Sequence, residues 1–118
     1  MDPTTGAAVN ACTISSSIEP GGRMLTVAGD VDLAASAKLE AEIVGAVGEL
    51  DPGAELCLDL AAVGFLDSAG LRALLRGSDA ASAAEVRLAL VLSPAVARVL
   101  EMARIGPEVF GIAGLDWG

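Results

Sequence analysis

The stretch Leu56–Leu75, "LCLDLAAVGFLDSAGLRALL", decides how the chain is read. It opens on a strongly apolar strand that ends in Asp59. A second short apolar stretch ends in Asp67. Ser68, Ala69 and Gly70 follow, and Leu71, Leu74 and Leu75 then recur at helical spacing as an inward stripe. Ser68 therefore reads as the N-cap of a helix, its hydroxyl accepting a first-turn backbone N–H, a contact worth about 0.5–2 kcal/mol. Gly70 reads as a small residue that permits tight packing. A capping serine is also exposed, so a modifying enzyme can reach it.

Working back from this stretch, residues 1–10 read as a loose, flexible tail. "ACTISSSIE" and "GRMLTVAGDVD" read as two strands joined at Pro20-Gly21-Gly22, a link short enough for an antiparallel hairpin. Met24, Leu25 and Val27 give the second strand its apolar surface, and Gly29 marks its expected end. Asp32 can cap the helix that follows, whose stripe is Leu39, Ile43, Val47 and Leu50. Asp51-Pro52-Gly53 stops that helix.

Working forward, Arg72 and Arg76 stand one turn apart and are expected to be exposed. "EVRLALVLS" reads as a strand with apolar residues on both sides: Val86, Leu88, Leu90 and Leu92 on one, Ala89 and Val91 on the other. That pattern predicts cover on both faces of the sheet. Ser93-Pro94 starts a further helix, with Ser at the N-cap and Pro at N1. Its stripe is Val96, Val99, Leu100 and Ala103, and Gly106-Pro107 ends it. "EVFGI", residues 108–112, reads as the last strand. The expected order is β-β-α-β-α-β-α-β. This is an α/β fold with a mixed, largely parallel sheet, opened by a hairpin and packed against helices.

The sequence has 118 residues, enough for one domain with an ordinary core. The core is expected to be rich in Ala, Leu and Val, with Phe65, Phe110 and Trp117 its only aromatics. No apolar run reaches the roughly 18–20 residues that a membrane helix needs. "MDPTTGAAVN" has neither a basic nor an apolar signal region, so a cytoplasmic location is expected, without membrane insertion. Sixteen acids against seven bases give a net charge of −9. That balance opposes nucleic acid and anionic lipid as partners and suits a basic protein surface or simple solubility. Cys12 and Cys57 read as buried free thiols.

The absence of His excludes Ser-His-Asp and Cys-His catalysis and most zinc sites, and no metal cluster is expected. Around Ser68 the first Gly of a G-x-S-x-G elbow is missing. Neither a GxGxxG fingerprint nor a phosphate loop occurs, so no cofactor is expected, and nucleotide binding by the domain has little support. A phospho-aspartate receiver with Asp59 as acceptor is a rival reading. Asp30 and Asp32 can mimic its acidic pair, but the lysine near its last strand is absent, because the single lysine is Lys38 in the first helix.

"DLAAVGFLDSAGLRALL" resembles the signature of STAS domains, named for sulphate transporters and anti-sigma factor antagonists. That signature is a strand ending in Asp-Leu, an apolar pair, Asp-Ser, a small residue, Gly-Leu and an apolar helix. "VAGDVDLAAS", with Gly29, Asp30, Val31 and Asp32, is similar to the family's segment after its second strand. "LVLSPAVARVLEMARI" is similar to its later strand, turn and third helix. The resemblance spans roughly residues 12–112, within a single domain expected over 11–118.

The resemblance implies a STAS-like fold and a function without enzymatic activity. Stand-alone members are commonly anti-sigma factor antagonists. The unphosphorylated form binds an anti-sigma factor that is also a serine kinase, which releases a sigma factor for transcription. Phosphorylation breaks that complex and a serine phosphatase restores it. By motif position the phosphorylated residue is Ser68. Ala69 stands where the family often has a second hydroxyl. The implied switch surface comprises Asp30, Asp32, Asp67, Ser68, Ala69, Gly70 and Arg72, with Asp59 expected at the same edge. Asp67 is implied to position Ser68; read from the residues, it is a first-turn charge. The alternative within the family is a STAS subunit of a lipid-transport ATP-binding cassette system, or a stress-signalling scaffold, with no sigma-factor switch. The family's further C-terminal helix is expected to be truncated or absent, since "GLDWG" follows the last expected strand. Trp117 is expected either to cover a core edge or to lie on a partner surface.

Overall fold

The computed structural model describes residues 11–106 and 114–116. Its elements are β1 (Thr13–Glu19), β2 (Gly22–Val31), α1 (Leu33–Gly48), β3 (Glu55–Leu66), α2 (Ser68–Ala83), β4 (Arg87–Leu92), α3 (Pro94–Met102) and β5 (Gly114–Asp116). This is the expected order. Residues 1–10, the 108–112 segment read as the last strand, Phe110 and Trp117 lie outside the described residues.

The hairpin forms as the turn chemistry requires. Glu19 pairs with Gly22, leaving Pro20 and Gly21 as the two central residues. Proline's fixed φ suits the first central position, and Gly21 takes a φ of 81° at the second, an arrangement that favours glycine. β1 and β2 are antiparallel, and β2, β3, β4 and β5 run parallel.

The strands lie in the order β1-β2-β3-β4-β5. Each parallel strand is laid beside the previous one, always in the same direction. Crossovers between parallel strands are right-handed in nearly all proteins, so successive crossovers of this kind deliver their helices to one face. The core agrees: Leu39 and Ile43 of α1, Leu74 of α2 and Leu100 of α3 join Leu25, Leu58 and Leu90 in a single cluster. Leu25, Leu58 and Leu90 are register neighbours across three strands.

This topology corrects the expectation of cover on both faces. The alternate row Met24, Cys57 and Ala89, and the next row Thr26, Asp59 and Val91, are only half-buried. The two cysteines are free, but half-buried rather than buried. The strand order also lacks the reversal point at which doubly wound sheets bind ligands, which removes structural support from the receiver reading.

Two strand limits also differ from expectation. β2 passes through Gly29 to Val31, because Gly29 adopts φ 97° at a register shift instead of ending the strand. β3 runs unbroken through Asp59 to Leu66, with the pairing to β2 slipping between Thr26 and Ala28 and again between Gly29 and Asp30. The second slip skips Gly64, so Gly64 and Phe65 are both exposed between buried Val63 and Leu66. Phe65 is thus 49% exposed and is not a core aromatic.

Candidate functional site

Two helices begin side by side at the C-terminal end of the parallel strands. Val31 and Leu66 are register partners, and the Asp67 N–H reaches the Val31 carbonyl at 3.3 Å. Each strand is followed by an aspartate and then a helix. Asp32 Oδ1 accepts the Ala35 N–H at 3.0 Å, and Asp67 Oδ1 accepts the Gly70 N–H at 2.9 Å. Both aspartates have extended backbone, as N-caps do.

Ser68 is therefore not the cap. It is the first residue of α2, exposed, and its hydroxyl makes no hydrogen bond with another described residue. The signal for this was in the sequence: "VDLAAS" and "LDSAGL" share an apolar-Asp step with the acceptor three residues before the N–H it takes. Asp67 was expected as a first-turn charge beside a capping serine, and the roles of the two residues are exchanged.

The expected surface partly assembles. Asp30 pairs with Phe65 in the β2–β3 register, and Asp32, Asp67, Ser68 and Ala69 follow immediately at the same end. Gly70 is buried, and an added Cβ would lie 2.5 Å from Leu66 Cδ1 and 3.0 Å from Val31 Cγ1. Its smallness lets α2 seat on the two strand ends. Asp59 does not join the group. It pairs with Thr26 and Val91 in mid-sheet, and Thr26 stands four β2 positions before Asp30, about 13 Å along a strand. Its carboxylate accepts the Ala61 N–H at 3.1 Å.

Of the stripe leucines in α2, Leu74 is buried and Leu71 and Leu75 are half-buried. Arg72 is exposed and makes no ion pair with a described residue. Arg76 instead bridges to Glu40 of α1 at 3.4 Å. Asp30 is half-buried, and its carboxylate has no hydrogen-bond or ion-pair partner among the described residues. Sequence reasoning missed Phe65 and Leu33 as exposed apolar neighbours of this end; Leu33 is 73% exposed at the first position of α1.

These features define a small α/β domain that presents an uncommitted serine on the first turn of a helix. The sequence model of the family described as "Mlab, STAS domain" matches residues 14–110. The chain belongs to the STAS-domain family. It is similar in fold to an anti-sigma factor antagonist from Mycobacterium paratuberculosis, at TM-score 0.69 and 22% identity, over 90% of this chain and 86% of that one. It is also similar to the anti-sigma factor antagonist SpoIIAA in its unphosphorylated form, at TM-score 0.61 and 22% identity, over 80% and 84%. An antisigma-factor antagonist STAS domain from Rhodobacter sphaeroides gives 0.54 and 18%, over 68% and 85%. At these identities the likeness establishes the fold. No curated protein matches the sequence. Among the described residues no helix is long and apolar enough to cross a membrane.

Proposed function

We propose that this protein is an anti-sigma factor antagonist whose single STAS domain, residues 11–118, is switched at Ser68. The observation that carries this reading is the exposed hydroxyl of Ser68 within Asp67-Ser68-Ala69-Gly70, without a hydrogen-bond partner among the described residues. Unphosphorylated, the domain binds an anti-sigma factor with serine kinase activity through the Ser68 end of the sheet, freeing a sigma factor. The kinase transfers the γ-phosphoryl of ATP to Ser68 Oγ, ADP leaves, and the complex dissociates. A serine phosphatase resets the protein. The reading is of a cytoplasmic regulatory protein that binds and is modified but does not catalyse.

Charge at this end of the sheet favours a switch by exclusion. Phosphoserine carries about −1.5 to −2 charges at neutral pH. A helix N-terminus tolerates an anion, so the domain need not unfold. However, the Asp67 carboxylate already occupies the Gly70 N–H, and Asp30 and Asp32 lie at the same end. Burying the added charge against a partner, unpaired, costs on the order of 2–5 kcal/mol, an affinity loss of about thirty-fold to several thousand-fold.

The test is a pull-down from native cell extract with Ser68→Ala and Ser68→Asp baits. Retention of an ATP-binding serine kinase by Ser68→Ala and its loss from Ser68→Asp supports the reading. Equal retention overturns it. A second reading keeps the fold without the switch, as a STAS subunit of a lipid-transport ATP-binding cassette system or a stress-signalling scaffold. The observation on its side is the matched family's description, which names Mlab and not a sigma-factor antagonist. A transport ATPase retained equally by both baits would favour it.

A further inference from the structure

The exposed apolar side chains are sparse and unevenly placed. Of the five large ones among the described residues, Phe65 and Leu33 lie at the Ser68 end of the sheet. Leu33 holds the same position in α1 that Ser68 holds in α2, the residue directly after the capping aspartate. The two strands that lead into these helices are hydrogen-bonded neighbours, and Phe65 is paired with Asp30 one step earlier. Neighbouring strands are about 4.8 Å apart and packed helices about 8–10 Å apart. All four residues therefore fit within one interface of standard size, about 800 Å² per partner.

Neither exposure follows from the needs of the fold. The first helical position accepts most residues, and a polar one would avoid 73% exposure of a leucine. Phe65 faces out because the register slip turns it away from the core. We propose that Phe65 and Leu33 are the apolar anchors that hold the anti-sigma kinase, with the unpaired Asp30 carboxylate meeting a cation of that kinase. The proposal rests on the partner-switch reading and names the residues that supply its affinity. The commitment to a partner with a mixed apolar and basic surface follows from charge: the chain carries −9 overall, and the carboxylate beside Phe65 has no partner among the described residues. Buried aromatics are the usual centres of binding energy, and charges at their rim set partner choice and salt dependence. The anchors give the unmodified protein its affinity, and a phosphate introduced at their side carries its hydration shell into the contact.

The test compares Phe65→Ser, Leu33→Ser, Asp30→Asn and the distant control Val44→Ser, each in the Ser68→Ala background. Val44 is 45% exposed on α1, away from the helix start. Binding is measured against the purified kinase that Ser68→Ala retains, and thermal unfolding of each variant is followed alongside. Phe65→Ser is expected to weaken binding about thirty-fold and Leu33→Ser about tenfold or more, with Val44→Ser unchanged. Asp30→Asn is expected to flatten the salt dependence. Phe65→Leu is expected to recover part of the loss, and Leu33→Ser keeps the test decisive if Phe65→Ser folds poorly. Folded Phe65→Ser and Leu33→Ser proteins that bind as tightly as the parent overturn the anchors and leave the Ser68 switch standing. A partner bound equally by Ser68→Ala and Ser68→Asp, yet lost from Phe65→Ser, overturns the switch and its kinase while retaining the surface. If Ser68→Ala retains no kinase, the occupant named here is wrong.

Discussion

Asp67 Oδ1 accepts the Gly70 N–H at 2.9 Å, closing a ring around Ser68 that leaves the serine hydroxyl unused. The motif thus divides its labour: the aspartate caps the helix, the glycine lets the helix approach, and the serine is left for chemistry. Asp67→Ala is expected to lower stability by about 1 kcal/mol, with Asp67→Asn recovering most of it, since the amide oxygen still accepts. Ser68→Ala should stay within about 0.5 kcal/mol of the parent, as a surface change away from any cap. Urea unfolding of the three variants separates these roles; a larger loss in Ser68→Ala than in Asp67→Ala would return the cap to the serine.

Gly70 and Gly45 should respond oppositely to the same change. Gly45 lies within α1 with no atom within 4 Å of an added Cβ, so Gly45→Ala should stabilise by about 0.5–1 kcal/mol. Gly70→Ala drives a methyl against Leu66 and Val31 and should destabilise by about 1–3 kcal/mol. Thermal melts of the pair test this by their sign alone.

The ends of α2 and α3 invite a stabilising change. Glu85 and Arg104 have φ near 60° and 58°, and each follows its helix in a Schellman motif. After α2, Glu85 N donates to Ser82 O at 3.1 Å and Val86 N to Ala81 O at 2.9 Å. A left-handed backbone costs a side-chain-bearing residue about 1–2 kcal/mol, and glycine's extra freedom in the unfolded chain offsets about half of that. Glu85→Gly is expected to gain about 0.5–1 kcal/mol, read from the urea midpoint.

Cys57 sits on the half-open face of the sheet, where burial first, and then the carboxylates of Asp59, Glu55 and Glu19, push its thiol pKa up. Burial likewise raises Cys12, with Asp32 adding to the effect and Lys38 opposing it. A raised thiol pKa favours the neutral form in the folded state. Its stabilising contribution is therefore complete below the unfolded cysteine's pKa, about 8.5, and is lost as pH rises through the folded value. Stability measured from pH 7 upward should fall on the alkaline side, and less steeply in Cys57→Ala. Disulfide-exchange reagents at pH 8 should modify Cys57 more slowly than a free cysteine.

Much of this architecture is legible in the residues. Pro20-Gly21-Gly22, Asp32 and Ser93-Pro94 each announce a local structure whose chemistry lies within four residues, and all three form as read. What escaped the sequence depends on neighbours far along the chain. Asp59 looked terminal because Leu-Asp-Leu ends an apolar run, yet pairing to β2 and β4 carries the strand past it. Val91 looked ready for a second layer, but which face the helices take is decided by strand order, and a single strand's alternation does not encode that. The exposure of Phe65 arises from a register slip between two strands, so no count within β3 alone would reveal it. Ser68 was the wrong cap by one residue, although the parallel step at Val31-Asp32 held the answer.

The unreversed strand order has a consequence for how the chain comes into being. Each new parallel strand docks on the strand made just before it, separated only by its own helix. No strand must be threaded between two that are already paired. Growth of the sheet can follow the direction of synthesis, from the hairpin outward, with loops closed one at a time and short. The pairing of β2 with β3 that brings Leu33, Phe65 and Ser68 to one end is among the first of these steps, so the surface can be assembled before the last strand of the domain has been made.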